Sequence, residues 1–413
     1  MKDHPPSSTP DASRIGQQNF RPPTDMPNRV LFIDPRLSRV AGGAERLTME
    51  KIKALDPNRF AVSILTRGDR QPNSALFRAF RQARPDVDVI TLPPPVGTKG
   101  ADFRDLVTAH QGQALIGKDP TVDDAICFNV GAKRIVECGD WDLVSCSFLT
   151  DLFGLEPKCP VAFHIYGLPP ADMVAAEAPL LRRISTISAV SGYVSDAFCA
   201  LFGAERIPCP VSLLAPALSA QFLADTPRGS RELEFAYVGR LVPGKGVDTA
   251  IRALDRVSRS CASGPTLMIA GTGPEEPLLR GLRRDLGLAD QVRFCGELDS
   301  VGLIALLDRV RWFLHPGRKP EAFGLAALEA MARGVPCLVS TPGGMREYLH
   351  HGKNGWEIAA SEADLFAERM QAVLDDPAAE PDFRAHARAT AAGFSLHGFE
   401  EAVNRFYDAA LES

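Results

Sequence analysis

With 413 residues, 45% of them hydrophobic and 23% charged, and a formal net charge of -5, the chain has room for two domains. It lacks the basic excess of an ordinary nucleic-acid-binding protein. No apolar run approaches the roughly 18 residues of a membrane helix, and residues 1–28 are polar and hold six prolines, so neither a membrane span nor a signal peptide is expected. Nine cysteines, odd in number and without a C-x-x-C pair, argue against zinc sites and a disulfide framework. A reducing, cytoplasmic compartment is the expectation.

In chain order, residues 1–28 offer too few apolar groups to offset the entropy of ordering and are predicted to be a disordered tail. From Arg29 onward, short apolar runs alternate with helical patterns. Val30–Ile33, Ala61–Leu65, Val161–Ile165 and Thr186–Val190 read as buried strands, and Ala44–Leu55 and Ser191–Phe202 as helices. A stretch rich in small residues and proline, Ala215–Ser230, reads as a linker. The alternation then restarts with strands at 234–238, 266–270, 292–294, 312–314 and 336–340, and with helices at 247–257 and 275–286. The predicted fold class is α/β, with two Rossmann-like lobes whose parallel sheets face each other across a cleft. Ligands in such sheets bind beyond the carboxyl ends of the strands, so the residues just after each strand carry the chemistry.

The strand at 234–238 runs into Gly239-Arg240-Leu241-Val242-Pro243-Gly244-Lys245-Gly246, ahead of a helix. This nearly spells G-x-x-x-x-G-K-[ST], yet Gly246 stands where a magnesium-binding hydroxyl belongs. The next strand also lacks a terminal Asp for a second magnesium contact. Two cations, Arg240 and Lys245, remain near a helix N-terminus that favours anions; a solvated basic turn is the plainer alternative. Gly271-Thr272-Gly273 reads as a tight turn. After the strand at 312–314, Glu321 lies in a loop, and Glu329 sits about two turns into the next helix among small apolar residues. A carboxylate there needs a cation or hydroxyl partner. Arg333, at i+4, would supply one on the surface. Gly343-Gly344 opens a further anion-friendly turn that runs to Glu347.

As an ordered set, these residues over 231–360 resemble the family 4 glycosyltransferases, which use nucleotide-sugar donors and have the GT-B fold. The set comprises the Gly239–Lys245 loop, Gly271–Pro274, Phe294-Cys295-Gly296, the Pro-Glu-x-Phe-Gly stretch at 320–324, the glutamate pair and Gly343–Glu347. In the first half, Gly42-Gly43-Ala44-Glu45 is similar to the family's first glycine loop, and His164 follows a strand as its donor-site histidine does. The resemblance implies that Arg240 and Lys245 hold the donor diphosphate beside Gly239, and that Glu329 accepts hydrogen bonds from the ribose. Glu321, Ala322, Phe323, Gly324 and Leu325 would contact the transferred sugar. Gly42 and Gly43 would line the phosphate side, Gly296 and Leu298 the base, and His164 would lie near the reacting carbon. Outside the resemblance, His164 is a lone histidine ending an apolar strand, and a satisfied structural histidine is the plainer reading.

The family retains anomeric configuration, which implies a front-face reaction with no permanently bound cofactor and no metal. Unrelated GT-A transferases bind manganese through D-x-D, and Asp86-Val87-Asp88 and Asp140-Trp141-Asp142 have that spacing, but both precede strand-like runs where aspartates are ordinarily solvated. The implied domains are the tail (1–28), an acceptor-binding lobe (29–218), a nucleotide-sugar lobe (219–393) and a last helix (394–411) crossing back onto the first lobe. Phe399, Val403, Phe406 and Tyr407 give that helix its apolar face; packing on the second lobe is the alternative. Two departures stand out: Gly317 replaces a common serine, and Ala215-Pro216-Ala217 replaces a common Asn-Gly. Residues 29–218 carry 21 basic and 21 acidic side chains, which favours a small-molecule or glycan acceptor over a membrane-held one. Arg78, Arg81 and Arg84 could form an interfacial patch or simply a snorkelling surface helix. Architecturally related alternatives are a sugar-nucleotide epimerase, a phosphorylase and a non-catalytic nucleotide-sugar-binding protein.

Overall fold

The computed structural model describes residues 26–38, 42–68, 74–92, 120–225, 231–260 and 264–413. Most of the expected tail, and residues 226–230 of the expected linker, lie outside them. Seven strands form the first sheet: β1 (Asn28–Ile33), β2 (Phe60–Arg67), β3 (Asp88–Leu92), β4 (Leu143–Cys146), β5 (Val161–Ile165), β6 (Thr186–Ala189) and β7 (Val211–Leu213). Six form the second: β8 (Leu233–Val238), β9 (Leu267–Ala270), β10 (Val292–Gly296), β11 (Val310–His315), β12 (Cys337–Ser340) and β13 (Gly355–Ile358). Every pairing is parallel. Helices cover both faces, which is why β4, β5 and β12 are buried along their whole lengths and read as unbroken apolar runs.

The strand orders are β3-β2-β1-β4-β5-β6-β7 and β10-β9-β8-β11-β12-β13. In each sheet the chain builds outward on one side of the first strand and then returns to its other side. The switch points, β1/β4 and β8/β11, open a crevice at the carboxyl ends of the strands, where ligands bind in such folds. The final helix, Leu396–Leu411, buries Phe399, Val403, Phe406 and Tyr407 in the apolar cluster of β1, β2 and the helix Gly43–Ala54. The Tyr407 ring lies 5.8 Å from that of Phe32. The last residues of the chain thus pack on the first sheet.

Among the described residues, polar contacts join the two halves beyond their strand ends. Ser191 Oγ donates to the Ala322 carbonyl at 2.6 Å. The Gly192 amide, at the start of the helix Gly192–Phe202, donates to the Glu347 carboxylate. Arg46, on the helix Gly43–Ala54, pairs with Glu329 on the helix Leu325–Ala332 at 2.7 Å.

Candidate functional site

The loop after β8 is shaped by tight backbone packing. Tyr237 Oη donates to the Arg240 carbonyl at 3.1 Å, which holds the turn and leaves the Arg240 side chain exposed. Gly246 caps the helix Val247–Ser258 at φ +68°, and a Cβ there would sit 1.8 Å from the Pro316 carbonyl oxygen. No side chain fits at this position, so the loop takes its close approach to Pro316 instead of a magnesium-binding hydroxyl.

Across the β8/β11 switch point, Lys245 Nζ bonds the Glu321 carboxylate, and His315 Nε2, at the end of β11, lies 3.5 Å from the same oxygen. Burial pushes Glu321 upward in pKa, but His315, Lys245 and Arg240 more than offset this, and it is held below its ordinary 4.5. Burial, against an opposing pull from Glu321, lowers His315 to about 4, so its ring is neutral at pH 7. The Glu321 carbonyl accepts from the Gly344 amide at 2.8 Å, which brings the Gly343–Glu347 turn to the same place. Tyr348 Oη donates to the Phe323 carbonyl at 2.9 Å and the Gly324 carbonyl at 2.7 Å. Phe323 itself is buried beneath this segment, between Tyr348 and Phe394. Gly324, at φ +81°, caps the next helix, and Leu325 begins it.

Glu329 follows one turn later and is 3% exposed. Burial raises its pKa, opposed by Arg46. Its partner comes from the other half of the molecule: Arg333 turns away to Asp308, at 2.8 Å, and to the carbonyls of Phe222 and Ala224. The surface i+4 pair weighed from the sequence does not form. The Arg46–Glu329 contact is an ion pair without the alignment of a hydrogen bond, and Glu329 Oε1 keeps unmet acceptor capacity. Arg46→Leu is expected to cost about 1–3 kcal/mol. That is less than a fully buried pair would lose, because Arg46 is about a third exposed. The double variant Arg46→Leu/Glu329→Gln should recover most of it in urea titrations.

Gly42 caps the helix Gly43–Ala54 in an extended conformation with no side-chain cap, so free amides face the cleft beside Arg46. A Cβ on Gly43 would meet nothing within 4 Å, and the same holds for Gly296 at the end of β10. Leu298 follows Gly296 at partial exposure. Lys245 and Glu321, with Arg240 in electrostatic reach, form one group, and the 322–325 segment leads from it to buried Glu329, which Arg46 reaches from the other half.

His164 does not join it. The ring is 1% exposed, with Nδ1 2.6 Å from Ser188 Oγ and Nε2 2.8 Å from Tyr407 Oη and 3.2 Å from Ser145 Oγ. Burial, with a smaller push from Lys51, holds its pKa well below 6.5. It is a core histidine under the last helix, and the expectation that it lies near the reacting carbon is corrected accordingly. The residue that reaches a pocket from this strand end is Tyr166, which accepts from Thr48 Oγ1 at 3.2 Å.

In each D-x-D triplet one aspartate accepts a hydrogen bond from a nearby arginine residue. Arg84 Nε donates to Asp86 at 2.9 Å, and the Arg29 amide donates to Asp142 at 2.8 Å. Arg84 also bonds the Ile52 and Leu55 carbonyls, and Arg81 bonds the Val87 carbonyl, so these side chains tie their helix to its neighbours. Among the described residues, no helix is long and apolar enough to cross a membrane.

The sequence reading missed Arg46, His315 and Tyr166. Arg46 had a signal, lying one helical turn beyond the Gly42-Gly43 loop; His315 and Tyr166 look like ordinary strand-end residues until the sheets assemble.

The family described as glycosyl transferases group 1 matches residues 221–390. The glycogen synthase of Mycobacterium tuberculosis is 36% identical over 208 residues, 50% of this chain and 49% of that protein. The match therefore spans about half of that relative's length. A GDP-mannose-dependent alpha-(1-6)-phosphatidylinositol monomannoside mannosyltransferase of the same organism is 30% identical over 309 residues, 67% of this chain and 78% of that one. Among solved structures, Anabaena HepE in complex with UDP and glucose superposes with a TM-score of 0.69 at 18% identity, over 92% of this chain and 99% of that one. Sucrose-phosphate synthase from Thermosynechococcus elongatus gives 0.70 at 17% identity, over 92% and 98%. These last likenesses are of fold, and the fold is GT-B.

Proposed function

This chain belongs to the glycosyl transferases group 1 family. From that premise we propose that it moves a sugar from a nucleoside-diphosphate sugar to an acceptor on the first lobe, with retention and without a metal. The observation that carries this is the convergence of Lys245, Glu321 and His315 at the β8/β11 switch point, with Glu329 one helical turn beyond the same segment. Without a donor, the acid Glu321 neutralises Lys245. A diphosphate offers stronger charge-assisted bonds and draws the ammonium away, with exposed Arg240 as its second cation. Ribose hydroxyls then take the unmet acceptor of Glu329.

Cations fixed beside the diphosphate stabilise the charge that develops as the sugar–phosphate bond breaks. The leaving oxygen takes the acceptor's proton on the same face, so no protein nucleophile is required. Glu321, engaged with Lys245 and His315, is suited to orienting sugar hydroxyls rather than attacking carbon. Of the D-x-D aspartates, Asp86 is bonded by Arg84 and Asp142 by the Arg29 amide.

Thermal shift with UDP, GDP, ADP and their sugars tests the donor step, since a ligand of the native state raises the melting temperature. UDP-glucose and GDP-mannose come first, because a relative and a neighbour are named with those chemistries. At least one nucleotide should raise the melting temperature, and full transfer activity should survive EDTA. No shift with any of them would overturn the assignment. Consumption of donor without an acceptor would favour an epimerase, and dependence on free phosphate a phosphorylase.

A further inference from the structure

The other switch point, β1/β4, also opens on a pocket, of about 290 Å3. Its wall is largely apolar, built from Leu149, Phe163, Leu168, Met173 and Phe198. Into this wall the structure sets Glu177, a residue only 5% exposed. Among the described residues, no donor bonds its carboxylate. It does not cap the turn Ala178–Arg183 that follows it. Burial raises its pKa to about 7.

At the polar end of the pocket the lining side chain is Arg36, which is engaged from behind by buried acids. Arg36 lies 3.5 Å over the Phe148 ring and faces three carboxylates, Asp34 at 3.7 Å, Asp151 at 3.9 Å and Glu45 at 4.0 Å. Asp34 Oδ2 and Asp151 Oδ1 have no hydrogen-bond donor. Arg36 is thus already engaged by acids behind the wall, and Glu177 is the acid of the lining itself. A buried carboxylate without a partner is costly, and a positive charge brought in by a ligand is its natural complement. Among the described residues, no three acidic, histidine or cysteine side chains are placed to hold a metal ion, which points to an organic cation.

We propose that the acceptor is an amine-bearing molecule with an apolar body, its ammonium on Glu177 and its apolar face against Phe163, Met173 and Phe198. This rests on the reading of the first lobe as the acceptor side of a transferase.

The test uses the full chain and three fragment probes of one shape: 2-phenylethylamine, 2-phenylethanol and 3-phenylpropionate. Titrations followed by NMR and thermal shift should show the amine binding at least about tenfold tighter than the alcohol, with the carboxylate weakest. Glu177→Gln should erase the preference for the amine, and Glu177→Leu should favour the alcohol. Both variants should fold, since each removes a buried carboxyl group that no protein donor bonds. Equal binding of amine and alcohol, a preference that survives in Glu177→Gln, or no binding of the amine would each overturn the proposal. UDP and GDP are titrated in the same samples. Loss of the amine with nucleotide binding intact sinks this inference alone, whereas failure of every nucleotide sinks the transferase reading.

Discussion

Lys245→Ala should lower kcat/KM for sugar transfer by about 100- to 1,000-fold, the range seen when one fixed donor to a developing negative charge is removed. Asp86→Ala, whose carboxylate is bonded by Arg84 just before the edge strand β3 of the first sheet, should stay within about threefold, a surface-sized effect. Two losses combine at Lys245. The leaving diphosphate forfeits a cation, and Glu321 is left with His315 as its nearest partner. The second loss has a pH signature. Glu321 is held below its ordinary 4.5, so it contributes stability that is present above that value and is lost as pH falls through its depressed one. The variant's deficit in melting temperature should therefore be largest near neutrality and shrink below about pH 4.5. Near-wild-type turnover in Lys245→Ala would remove the donor assignment, and a deficit that grows in acid would remove the account of the pair.

Gly246→Ser, which completes the G-x-x-x-x-G-K-[ST] pattern, should give an unstable protein and not an ATPase. The added Cβ would lie 1.8 Å from the Pro316 carbonyl oxygen and 3.0 Å from Ser361 Oγ, at a residue with φ +68°. Overpacking against backbone, together with a left-handed non-glycine residue, is expected to cost about 3–5 kcal/mol. For a lobe of this size, that lowers the melting temperature by on the order of 10 °C. Calorimetry of the variant checks it. A serine accommodated without loss, or magnesium-dependent ATP hydrolysis, would show that the loop has room it does not have here.

The fold was legible because its strands are buried on both faces. Val161–Ile165 reads as a strand from composition alone and is one, buried at all five residues. The helix predicted at 247–257 runs Val247–Ser258, its apolar residues recurring at helical spacing after a glycine cap. Much of the loop after β8 was legible for a related reason. Strand-end turns bearing Arg240, Lys245 and Glu321 are local arrangements, and their backbone requirements leave glycines behind. Partner choice was not legible. Glu329 has Arg333 at i+4 in the sequence, yet it pairs with Arg46, 283 positions earlier, because the two halves meet there.

His164 marks the limit most clearly. Its place at the end of an apolar strand suited both a donor-site histidine and a core residue. The last helix decides between them, since Tyr407 comes 243 positions later to bond its Nε2 and closes the face over it. Alternation of apolar runs with helices, glycines at strand ends and cations beside them determined the class of fold and the shape of the strand-end turns, because these depend on near neighbours in the chain. Tertiary structure alone decided which acids are paired and which stand alone, as Glu177 does, because a charge buried on folding takes whatever partner the distant elements bring to it.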